Sequence, residues 1–314
     1  MIKRSKLCKD ENGAGLVVVI FVIFAVLAIG GLVVDLGIVY TTRGQMRKAA
    51  NAAALSGIQE IFVSDASVSS IVDDILVSHN EKDHLESLQI KPNGENKVTV
   101  NLKKDVPLYF MKIFGKDSYT VKVSSSAKAA PLSVGRGAVP LGVPQNVINN
   151  IGTGEEYPLK VGPGDSEYGN FGIISLSDTW NIGRDYQHDL TYGSDGEIKI
   201  NQILDTETGN VQGKTVAAIG DRLNSSQYQD AGLPAGDINL NDSRVLTVLV
   251  YQEMPHPGNQ LKEVRVVGFA YFFLKGPYDQ HNGTISGYFI KGLESGATGS
   301  GAVDKGAYGI RLVE

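Results

Sequence analysis

One stretch limits what this chain can become. From Leu16 to Val34 there is no charged, amide or hydroxyl side chain. A helix rises about 1.5 Å per residue, so this run covers about 28 Å, close to the roughly 30 Å hydrocarbon thickness of a bilayer. A helix in a soluble core would show polar residues on one face, and a strand rarely exceeds about ten residues. The run therefore predicts a membrane-entering helix over residues 13–38. It is longer than the roughly 7–15-residue apolar core of a cleavable signal, so a retained span is expected, although Val26-Leu27-Ala28 could serve as a cleavage triplet. Lys3, Arg4, Lys6 and Lys9 precede the run, and Arg43, Arg47 and Lys48 follow it. This narrow excess of basic residues on the leading side predicts a cytoplasmic N-terminus at residues 1–12 and an extracytoplasmic bulk.

Charge and glycine are unevenly shared. Residues 1–130 carry 16 basic and 13 acidic side chains, and residues 131–314 carry 13 and 21, net +3 and −8. An acidic distal half argues against a nucleic-acid partner, which would need clustered lysine and arginine to neutralise phosphate. Of 37 glycines, 28 follow residue 130, which points to many turns between short strands. The single cysteine, Cys8, precedes the run, so no disulfide can staple the exported part.

Past Val34 the helical pattern continues. Asp35 sits at the far edge of the predicted span, where it would be either a solvated interfacial acid or a contact to a neighbouring subunit or helix. Ala49, Ala53 and Gly57 recur at four-residue spacing in a segment rich in helix formers. Such a row lets two backbones approach closely, although alanine is also simply the best helix former. The order of apolar run, Val34-Asp35-Leu36-Gly37, Tyr40, Gln45 and Ala49-Ala50-Asn51-Ala52-Ala53-Ala54-Leu55-Ser56-Gly57 resembles the N-terminal module of the Flp pilus-assembly TadE/TadG-like family. Asn51 stands for that pattern's aspartate and Ser56 for an alanine. The likeness is close over about residues 10–60 and looser to about 130, where Val106–Gly115 resembles the family's proline–aromatic segment. It implies a single-pass, pilin-like membrane protein of Flp or tight-adherence pilus biogenesis, with other pilus-assembly proteins as partners and no catalytic residues. Asp35, Tyr40, Ala49, Ala53 and Gly57 are its candidate residues for helix packing and self-association.

Asp65 is placed to cap a helix whose Val68, Ile71, Val72, Ile75 and Leu76 share one face. Residues 97–102 and 119–123 alternate as strands. The expected fold class is α+β. A transmembrane helix continues into a pilin-like helix with a small antiparallel sheet (39–130), and an all-β domain follows (131–314), a sandwich or barrel. In the latter, residues 171–176, 197–200, 245–251, 264–274, 284–290 and 308–313 read as strands, with 264–274 central.

Two oxygen-rich motifs are candidate metal sites. Asp65-Ala66-Ser67-Val68-Ser69 has the Asp-x-Ser-x-Ser form of a magnesium adhesion site, with Asp65, Ser67 and Ser69 as hard ligands, but it lacks the strand-to-helix setting such a site needs. Asp237, Asn239 and Asn241 are spaced like calcium ligands, yet Asp242 and Val248 occupy the places of the required glycine and glutamate. The expectation is no cofactor, with calcium as the alternative. Gly209–Thr215 is one residue short of a phosphate loop and reads as part of a hairpin turn. No Gly-x-Ser-x-Gly elbow occurs. His188, with Asp185 and Asp189, reads as a solvated loop cluster. The leading expectation is a non-enzymatic, membrane-anchored scaffold of pilus assembly. A tethered adhesin with a ligand-binding β-domain is the alternative, and a surface hydrolase is a more remote one.

Overall fold

A computed structural model describes residues 12–160, 173–207, 211–229, 232–234, 238–255, 262–294, 296–299 and 301–313. The predicted cytoplasmic segment (all but its last residue), Cys8, Asp237 and part of 171–176 and of 209–215 lie outside them.

Asn12–Gln59 form one uninterrupted helix, α1, of 48 residues. At about 1.5 Å per residue it is roughly 72 Å long. Its two halves meet different surroundings. Between Leu16 and Val34 nearly every apolar side chain faces outward, while Met46, Ala49, Ala50, Ala53, Ala54 and Ile58 are fully buried at the three- and four-residue spacing of one helical face. After Gln59 the backbone tightens, with Glu60 N–H donating to Gly57 O at 3.2 Å, and the chain turns back.

The second helix, α2, spans Asp65–Ser78. Its cap is Ser64 rather than Asp65: the Ser64 Oγ accepts from Ser67 N–H at 3.0 Å, which satisfies one of the open amides of the first turn. Asp65 becomes the first helical residue, where a carboxylate suits the positive end of the helix dipole. Val68, Val72 and Leu76 pack against α1. Three antiparallel strands follow, β1 (Leu85–Ile90), β2 (Lys97–Pro107) and β3 (Ser118–Pro131). Val98, Val100, Leu102, Val121, Val123, Ala127 and Ala129 point to the helices and share their core. The β2–β3 ribbon stays in register from Lys97↔Lys128 to Pro107↔Ser118, so its connecting loop is carried well away from the rest of the sheet.

Beyond residue 131 the chain builds a second, open sheet and a separate β4–β8 pair from short elements: β4 (Val134–Gly135), β5 (Ala138–Pro144), α3 (Gln145–Ile148), β6 (Glu156–Lys160), β7 (Ile173–Ile174), α4 (Tyr186–Tyr192), β8 (Ile198–Lys199), β9 (Ile203–Glu207), α5 (Gln212–Ser225), β10 (Val245–Glu253), β11 (Glu263–Leu274) and β12 (Thr284–Ile290). The main path is β5-β10-β11-β12-β6, with β5 parallel to β10 and the other pairs antiparallel. The central strand β11 is apolar on both faces because both are covered. Ala270, Phe272 and Leu274 join a core under α4 and α5, and Phe269, Tyr271 and Phe273 join a second core on the opposite side. The α+β class is as expected, and among the described residues the distal half is a strand-built open sheet with no closed barrel. The hairpin expected near 206–213 is instead a strand-to-helix connection, since β9 ends at Glu207 and Gln212 opens α5.

The chain then returns to where it started. After β13 (Gly292–Glu294), β14 (Ala307–Val313) pairs antiparallel with β3, from Tyr308↔Pro131 to Val313↔Ser126. The first sheet therefore runs β1-β2-β3-β14-β13, and its last two strands come from beyond the 130/131 division. Tyr308 closes the join, its ring 4.6 Å from that of Phe62 just past α1 and its hydroxyl bonded to Asp304.

Two glycines of α1 separate close packing from helix propensity. A Cβ at Gly57 would lie 2.7 Å from Val72 Cγ2, a stiff buried side chain, whereas one at Gly44 would meet nothing within 4 Å. Gly57→Leu is expected to destabilise the protein by about 1–3 kcal/mol, and Gly44→Ala to stabilise it by up to about 1 kcal/mol. Thermal unfolding of the detergent-solubilised chain, followed by circular dichroism, checks both.

Candidate functional site

The residues that organise this protein lie where α1 leaves its apolar run. Asp35 is 1% exposed although it stands on a helix whose neighbours face outward. Its carboxylate is enclosed by the loop between β2 and β3. Oδ1 accepts from Tyr109 N–H at 2.9 Å, and Oδ2 accepts from Phe110 N–H at 2.9 Å and Met111 N–H at 2.7 Å. Successive amides converging on one carboxylate make an anion-holding concavity, and each bond is charge-assisted. The loop folds this way because Gly115, at φ +78°, ends a one-turn 3-10 helix at Met111–Phe114, and Leu108 N–H closes on Asp117 O at 2.9 Å. One turn toward the membrane-entering end, the ring of Phe110 lies on Gly31, where an added Cβ would sit 2.3 Å from Phe110 Cγ and Cδ1. A carboxylate and a bare glycine on one helix thus seat one loop.

The other candidates for helix packing fall in two places. Ala49, Ala53 and Gly57 lie inside the chain, on the α1 face that meets the sheet and α2. Tyr40 is 80% exposed and joins none of the described cores. Gly30, Gly37 and Gly44, seven residues apart, have nothing within 4 Å of where a Cβ would be, so the open side of α1 is the one with room for a second helix.

The oxygen-rich motifs act locally. Ser67 Oγ shares a hydrogen bond with Ser64 Oγ at 2.8 Å, Ser69 Oγ donates back to Asp65 O at 2.9 Å, and Asp65 Oδ1 accepts from Lys91 Nζ at 3.2 Å. Ser67 and Ser69 are therefore engaged within the first turn of α2, and Asp65 with Lys91 beyond it. Asn239 Oδ1 accepts from Asn241 N–H at 3.0 Å, an Asx turn, and Asn239 N–H donates to the Tyr228 hydroxyl at 3.0 Å. The buried carboxylate of that region is Asp242, which takes Ser226 Oγ–H, Gln227 N–H and Arg244 N–H at 2.7–2.9 Å. Among the described residues no three histidine, cysteine, aspartate or glutamate side chains are grouped as a metal site would require. His188 Nδ1 lies 3.1 Å from Asp189 Oδ1, while Asp189 Oδ2 accepts from Trp180 Nε1 at 2.8 Å.

The distal half holds its helices with a second buried polar group. Arg222 donates to Leu190 O at 2.6 Å, Ser243 O at 2.8 Å and Val245 O at 3.1 Å, tying α5 to α4 and β10. Burial lowers its pKa to about 10. On the surface, a shallow cleft is lined by Leu132, Val134, Arg136, Glu197 and Glu294. Arg136 and Glu197 bond each other at 2.5 Å, and that hydrogen bond holds the Glu197 carboxyl below its ordinary range and the guanidinium above its own.

These features define a class: a module of two helices on a largely antiparallel sheet, whose leading helix is, among the described residues, the one long and apolar enough to cross a membrane. Residues 13–60 match the Flp pilus-assembly TadE/G-like family model, which is the family the Val-Asp-Leu-Gly and alanine-rich blocks point to. The matched segment ends at the turn after α1 and does not extend over the looser likeness to residue 130. No curated protein and no solved structure matches the chain.

Asp35→Ala removes the acceptor of three amides at once. The three donors are part-buried, so each left unpaired costs about 1 kcal/mol, the low end for such a group, and the loop should lose about 3 kcal/mol of its seating. Hydrogen exchange at Tyr109, Phe110 and Met111 in detergent is expected to speed up at least tenfold, while amides of β10 and β11 keep their protection.

Proposed function

We propose that this protein is a membrane-anchored structural component of Flp, or tight-adherence, pilus assembly. The observation that carries the reading is the division of α1: an outward-facing apolar stretch from Leu16 to Val34 matched to the family, continuous with a stretch buried from Met46 onward under a sheet. One rigid rod thus joins a bilayer to a folded head. In this reading the chain crosses the membrane once, with residues 1–12 in the cytoplasm and the distal sheet outside. The acidic distal half presents its edges and loops to other pilus-assembly proteins, and the open glycine side of α1, at Gly30, Gly37 and Gly44, receives a second helix, which could be that of another copy. The work is anchoring and scaffolding. No cofactor or reaction enters it.

The distal half should be digested by protease added to intact cells, and the chain should stay in the membrane pellet after carbonate washing. A deletion strain should lack assembled pili. Recovery of the full-length chain in the soluble cytosolic fraction overturns the anchoring, and normal pili in the deletion strain overturn the assembly role.

A further inference from the structure

The loop that Asp35 holds exposes the wrong side chains for water. Ile113 is 81% exposed and Phe114 71%, next to Tyr109 at 65%. They occupy one short turn, flanked by exposed Lys112 and Lys116. Their height along α1 is set by two contacts already described. Phe110 rests on Gly31, which lies about 5 Å inside the end of the apolar run, and the carboxylate that accepts the loop's amides belongs to the first residue after that run. These contacts place the loop level with the end of the apolar run, where Leu32, Val33, Val34 and Leu36 of the helix also face outward. Aromatic and aliphatic tips with adjacent lysines are the side chains that partition to the acyl–headgroup boundary.

We propose that Tyr109–Phe114 is a second membrane contact, a loop whose Ile113 and Phe114 side chains dip into the bilayer beside the span, with Lys112 and Lys116 at the lipid headgroups. The occupant of the patch is lipid because the loop is seated at the end of the outward-facing apolar run that α1 offers to lipid. The inference rests on reading α1 as a membrane span. It gives the protein two points of attachment in place of one, so that the rod's tilt and rotation are fixed against the membrane plane. Asp35 then acts as a positioning residue: by gathering three amides it aims the loop's tips along the helix toward the lipid.

Spin labels test this in the full chain reconstituted into phosphatidylcholine–phosphatidylglycerol vesicles. In a Cys8→Ser background, Ile113→Cys, Leu27→Cys and Gln187→Cys each carry one nitroxide, read by collision with oxygen, which concentrates in lipid, and with a water-soluble nickel chelate. The position-113 label should favour oxygen several-fold more than the position-187 label on α4, and somewhat less than the mid-span position-27 label. Adding Asp35→Ala should move it toward the water-side value. A 113 label as open to nickel as the 187 label, with 27 shielded, overturns the loop insertion alone. A 113 label closed to both reagents means that protein covers the patch, and this too overturns it. Nickel access at position 27 overturns the span itself and the loop with it.

Discussion

A single helix in this protein meets two kinds of surroundings. Along its first half nearly every side chain is apolar and faces outward, a surface suited to lipid, in which every backbone hydrogen bond has to close within the segment. Along its second half it needs one narrow face of small residues, so that a sheet and a second helix can lie close. The change of surroundings falls at Asp35, the first charged side chain after the run. An ionised group there is expensive unless it is partnered, and three backbone amides from another part of the chain supply the partners. That contact brings the β2–β3 loop onto the helix and fixes how the sheet is laid along α1.

The second constraint is the return of the chain. β14 joins β3 on the side away from β2, so the first sheet cannot be completed until the distal half has been built. The two halves are thereby held by backbone hydrogen bonds as well as by the Phe62–Tyr308 contact. The distal half is thus tied through β13 and β14 to the sheet that packs on α1. Arg222 does for the distal helices what Asp35 does for the β2–β3 loop, as a buried charge whose partners are backbone groups distant in sequence, while the buried Asp242 is met by the Ser226 hydroxyl and by the amides of Gln227 and Arg244.

Much was legible from residue order alone, and for identifiable reasons. The apolar run, the alternation of 97–102 and 119–123, the two-faced apolarity of 264–274 and the last strand at 308–313 are local patterns, and local patterns set local structure. Asp35 and the proline–aromatic loop are each conspicuous in the sequence, yet nothing joined them, because the donors are amides and every residue but proline has one. The helix α5 hid for another reason. Its buried face is Thr215, Ala218, Ile219 and Arg222, correctly spaced but half polar, so a hydrophobic count passes over it. Ser64 displaced Asp65 as the cap because a serine one residue earlier reaches the same amide.

The sequence by itself determined that a long apolar helix leads the chain, that a strand-rich acidic half follows, and which pilus-assembly family the leading helix resembles. Those are properties of composition and of periods of two and about four residues. Only the tertiary structure decided which side of α1 is covered, what accepts the charge of Asp35, and that residues 307–313 complete a sheet begun some two hundred residues earlier. Such choices rest on backbone groups meeting across long separations, and a backbone amide carries no mark in the sequence of the partner it will find.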